Sequence, residues 1–120
     1  TLIAVGLCSR SGQTIFARVF CDAYLGKIDS SFATFPRHLS SGQQHTYVEV
    51  ENLRYIYRPI DDNYLVLLTN KESNIMQDLS AADLFAVYTS NLIQNAKSSD
   101  ISLFAFDLIV AYNEMYNSMG

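Results

Sequence analysis

Charge is scarce in this sequence: Asp, Glu, Lys and Arg together supply 17% of its 120 residues, below the roughly 25% of an average soluble domain. A chain so poor in charge folds, and it is expected to keep some apolar surface for a partner. Positive charge is scarcest, with eight Lys and Arg against twelve Asp and Glu and a formal net charge of −4. The basic footprint required by nucleic acid or an anionic membrane is therefore missing. Long apolar runs are missing too, since none reaches the ~18–20 residues of a membrane span. Thr1 to Cys8 is apolar, but with no basic segment before it and no small-residue cleavage site after it, it does not read as a signal peptide. Two cysteines and no secretory signal point to a reducing, intracellular compartment. No repeat, low-complexity tract or linker divides the chain, and its length suits one domain with one core.

Hydrophobic periodicity lays out the elements. Leu2 to Leu7 is apolar at both parities, as a strand covered on both faces must be. Ser9-Arg10-Ser11-Gly12 supplies a turn, with Gly12 placed for a positive φ, and Gln13 to Phe20 returns as a second strand. Tyr24, Ile28, Phe32, Phe35 and Leu39 then recur at helical spacing, predicting a helix over 22–40 with its last turn loosened at Pro36. Period two resumes with Thr46, Val48 and Val50 on one face and Tyr47 and Glu49 on the other. A tight turn at Glu51-Asn52 continues Leu53, Tyr55 and Tyr57 on the first face and Arg54, Ile56 and Arg58 on the second. This register sets Glu49 opposite Arg54 as an exposed pair, Val48 on Tyr55 and Thr46 on Tyr57, with pairing ending at Pro59. After a turn at 61–63, Tyr64 to Thr69 is a fifth strand, again apolar on both faces.

The remainder reads as two helices. Ile75, Leu79, Ala82, Ala86 and Ile93 line a helix over 74–96, widened by Leu84, Phe85 and Tyr88. Ser80-x-x-Asp83 has capping-box form and offers an alternative start or break. Ser98-Ser99-Asp100 caps a last helix striped by Ile101, Phe104, Leu108, Ala111 and Met115. The order ββαβββαα is an α+β architecture, and two strands apolar on both faces require helices on both sides of the sheet.

Catalytic constellations do not emerge. His38 and His45 lack a third ligand at a characteristic spacing, so they read as surface histidines, with no metal implied. Cys8 and Cys21 read as small buried apolar residues, and six or so residue steps along the hairpin keep them too far apart for a disulfide. Ser9 to Gly12 superficially resembles a phosphate loop but lacks GxxxxGK[ST] and precedes a strand. Asp61-Asp62 reads as a solvated turn and not a cation site. The tyrosines, able in principle to stack bases, alternate onto sheet faces and read as core or interface. No enzyme and no cofactor is expected; a binding or assembly module is.

Gln44-His45-Thr46-Tyr47-Val48-Glu49, followed by Arg54-Tyr55-Ile56-Tyr57-Arg58-Pro59, resembles the N-terminal segment of the delta-subunit family of coatomer, in the adaptor medium-chain superfamily. The likeness continues through Tyr64 to Thr69 and Ser73 to Leu79, and includes Phe35-Pro36 and Phe106-Asp107-Leu108-Ile109; the first helix, Asp22 to Phe32, departs most. The resemblance implies that residues 1–120 form a single longin domain, with the linker and mu-homology domain of such subunits lying outside it. It implies a five-stranded antiparallel sheet of order 2-1-5-4-3, one helix on one face and two on the other.

The resemblance further implies a non-enzymatic part in the COPI coat. The domain would be held by the large helical-solenoid beta subunit, with an Arf-family GTPase recruiting the coat to Golgi membranes. The domain itself would meet neither nucleic acid nor lipid directly. Partner contact is expected on helix surfaces and on the edge hairpin at Tyr47 and Ile56, unless the first helix covers these two. Competing readings are a longin-type regulator of a small GTPase or of fusion machinery, and a ligand-binding sensor or enzyme on an α+β scaffold, which would need an enclosed pocket.

Overall fold

The computed structural model describes residues 2–38, 47–95 and 110–117. Five strands, β1 (Leu2–Ser9), β2 (Thr14–Val19), β3 (Tyr47–Val50), β4 (Leu53–Ile60) and β5 (Asn63–Asn70), form one sheet of order β2-β1-β5-β4-β3. Every neighbouring pair is antiparallel. The two strands apolar at both parities, β1 and β5, lie in the interior of this sheet, where helices bury both of their faces. The expected α+β sheet and its order are therefore found.

The β1–β2 turn closes with Gly12 N–H donating to the Ser9 carbonyl at 3.0 Å, and Gly12 takes φ +95° as its position demanded. One extra residue at Ile15, between Leu7↔Phe16 and Cys8↔Thr14, makes a bulge that turns the Ile15 side chain out to solvent. Cys8 faces Thr14 near the turn while Cys21 lies past the far end of β2, and both thiols are free.

The segment read as one helix over 22–40 is instead three short pieces. A 3₁₀ turn spans Asp22–Tyr24, α1 spans Ile28–Thr34, and a second 3₁₀ turn spans Phe35–His38. Gly26 stands between the first two, where its poor helix propensity breaks the run. Pro36 tightens the end into 3₁₀ form. The expected stripe survives the break, since Ile28, Phe32 and Phe35 are all buried. Phe35 is the hub, its ring 5.7, 5.3 and 5.7 Å from those of Tyr55, Tyr57 and Tyr64. Leu39, the Ser40-Ser41-Gly42 stop, His45 and Thr46 lie outside the described residues.

In the β3–β4 hairpin the register is as expected, with Glu49 opposite Arg54 and Val48 opposite Tyr55. Pro59 does not end pairing, because β4 continues to Ile60 opposite Asn63. Ile60↔Asn63 flanks the two-residue turn and exchanges the hydrogen bonds, so Pro59 sits at a non-bonded pair and its missing N–H costs β5 nothing.

Helix α2 (Ile75–Asn95) runs through Ser80 without a break. It starts where Asn74 Oδ1 accepts from the Gln77 N–H at 3.2 Å, so Asn74 and not Ser80 is its cap. A third helix, α3, covers 110–117, with Ala111 and Met115 buried as the stripe required. The rest of the last predicted helix, Ser98 to Ile109, lies outside the described residues. One core layer joins α1 to Ala4, Cys8, Tyr55, Val66 and Leu68; the other joins α2 and α3 to Val5, Leu7, Ile56, Leu65 and Leu67. One helix on one face and two on the other is the arrangement the resemblance implied.

Candidate functional site

Arg54 fixes α2 to the sheet. Its guanidinium was expected at the surface beside Glu49, but it is buried, because β4's second face lies under α2 and not in solvent. Nη1 donates to the Ser73 carbonyl at 3.0 Å and Nη2 to the Lys71 carbonyl at 2.9 Å. Nη1 also stands 3.8 Å from Asp78 Oδ2, a carboxylate buried in the first turn of α2. The guanidinium thus holds both the β5–α2 loop and the start of the helix. One turn further on, Arg58 Nε donates to Asp83 Oδ1 at 2.8 Å at the rim.

Helix α3 is anchored in turn. Tyr112, absent from the expected stripe, is fully buried, with its hydroxyl 2.5 Å from Thr89 Oγ1, which donates to the Phe85 carbonyl. Burial pushes the Tyr112 phenol up to about 12, against the lowering effect of the Thr89 bond. Phe20 stacks on Tyr116 at 4.1 Å, and Arg18 Nε donates to Asn113 Oδ1 at 2.8 Å.

These anchors leave a defined outer face on α2. Met76 is 72% exposed, Leu84 54%, Val87 59% and Tyr88 45%. Leu84 and Tyr88 were expected to widen the core stripe, and the structure corrects this. At about 100° per residue, Ala81, Ala82, Phe85 and Thr89 hold the buried side, so 84, 87 and 88 must point away. That spacing was readable in the sequence; the chemistry of the residues alone was misleading.

Of the two expected contact residues, only Tyr47 reaches solvent. It is 37% exposed on the edge strand, with the Arg54 guanidinium 5.8 Å from its ring. Ile56, directly opposite Tyr47, is fully buried beneath α2. It offers no contact surface, and the helix that covers it is not the first one.

On the other face a cleft of about 550 Å³ opens between α1 and the β3–β4 turn, with Lys27, Ser31, Thr34, Glu51 and Tyr55 in its walls. It is open to solvent and pairs no nucleophile with a base. Burial pushes the Tyr55 phenol up, opposed by hydrogen bonds from Ser31 and Thr34. Burial likewise raises the Cys8 thiol to about 11, the direction opposite to an activated nucleophile. Among the described residues, no cluster of His, Cys, Asp or Glu could hold a metal ion, and no helix is long and apolar enough to cross a membrane.

The chain is a longin-like α+β domain that displays one apolar helix face and an aromatic sheet edge. No protein-family model matches it. It is 36% identical over 114 residues, 95% of its length, to the coatomer subunit delta of Dictyostelium discoideum. Over 94% of its length it is 38% identical to the rice (Oryza sativa subsp. japonica) coatomer subunit delta-2 and 32% identical to coatomer subunit delta of Schizosaccharomyces pombe. It spans only 21%, 22% and 47% of these three proteins respectively. The chain is thus homologous, along nearly its whole length, to part of the coatomer delta subunits, and the likeness supports its placement as an N-terminal domain of that family.

Proposed function

We propose that this domain is a non-enzymatic assembly module of the COPI vesicle coat, held by the large helical-solenoid beta subunit. The observation that carries this reading is identity of 32–38% to coatomer delta subunits over about 95% of the chain. In such a role the domain works in the cytoplasm. It joins Golgi and vesicle membranes only through the assembled coat and its Arf-family GTPase, in Golgi-to-endoplasmic-reticulum and intra-Golgi transport. Tyr47, on the exposed edge of the sheet, is a candidate contact within that assembly.

Two physical features support the reading. The α2 face is apolar without basic residues, which suits a protein and not an anionic bilayer. The open cleft lacks the enclosure that a small-molecule sensor or enzyme would use. The test is co-purification of the full-length delta subunit containing this domain with a beta-subunit trunk. A stable equimolar complex is expected. Capture of a small GTPase in its place, with no beta subunit bound, would favour the regulator reading.

A further inference from the structure

We draw no further inference here: the strongest candidate, the open cleft between α1 and the β3–β4 turn, carries nothing, because its walls set Lys27 and Glu51 among hydroxyl groups and nothing in the structure shows what occupies it.

Discussion

Arg54 shows how one buried cation changes the energetics expected of a surface pair. Two loop carbonyls and the Asp78 carboxylate surround its guanidinium. Removing it leaves a buried carboxylate without its counter-charge, a loss of about 3–5 kcal/mol for such sites. Arg54→Ala should therefore destabilise the domain as much as Tyr55→Ala, a large-to-small core change worth roughly 3–5 kcal/mol. Arg54→Lys should recover only part of the loss, because an ammonium cannot span both carbonyls and the acid. Chemical denaturation of the three variants checks the ranking. An Arg54→Ala cost below about 1 kcal/mol, that of an exposed pair, would show that the guanidinium does not hold the helix.

Cys8 carries a pH signature of its own. Its thiol titrates near 9.0 when unfolded and about 11 in the fold, with burial as the cause. A raised folded value favours the protonated native form, so this stabilisation is complete below pH ~9 and is lost as pH rises from about 9 to 11. The loss amounts to about 2–3 kcal/mol at most. Cys8→Ala should flatten that part of the alkaline limb, measured as stability against pH. Tyr112, raised to about 12, should add a second decline above pH ~10 that Cys8→Ala leaves in place.

At the scale of elements, the hairpins carry the strain. Glu51 takes φ 57° and Asp61 φ 52°, each as the first residue of a two-residue turn. Left-handed backbone costs a residue with a Cβ roughly 1–2 kcal/mol, a cost Asp bears more easily than Glu. Glu51→Gly should therefore raise the melting midpoint, by up to about 1 kcal/mol of stability, after Gly's own entropic cost. A lowered midpoint would show that the Glu51 side chain contributes more than its backbone strain removes.

The same scale explains what was legible in sequence. Strict period-two alternation marked β3 and β4, and a one-residue slip would have inverted their faces, so Val48↔Tyr55 and Glu49↔Arg54 could be read directly. Alternation tells which residues share a face, but not which layer covers it. Alternation alone therefore leaves the shared face of Arg54 and Ile56 looking exposed, although α2 covers it. Helix limits failed where a single Gly26 outweighed a good stripe. On α2 the chemistry of Leu84 and Tyr88 suggests core, whereas their angle on the helix turns them outward.

For the whole molecule, chain order and sheet order disagree in a way that matters during synthesis. β1 lies between β2 and β5, with Val5 opposite both Arg18 and Leu67. The first partner is a dozen or so residues away and the second about sixty. As the chain leaves the ribosome, β1 and β2 can pair at once. The other edge of β1, inside the most apolar strand of the sheet, must wait for most of the domain to emerge. Such non-local closure is slow, and an unpaired apolar edge invites aggregation while it waits. Nascent chains arrested with residues up to 62 outside the ribosome should therefore remain protease-sensitive and bind chaperones, whereas chains exposing all of β5 and α2 should become resistant. Resistance before Asn63 emerges would show that β1 is protected by something other than β5. A strand whose second edge closes only about sixty residues after the strand itself is made gives this domain its most vulnerable interval during synthesis.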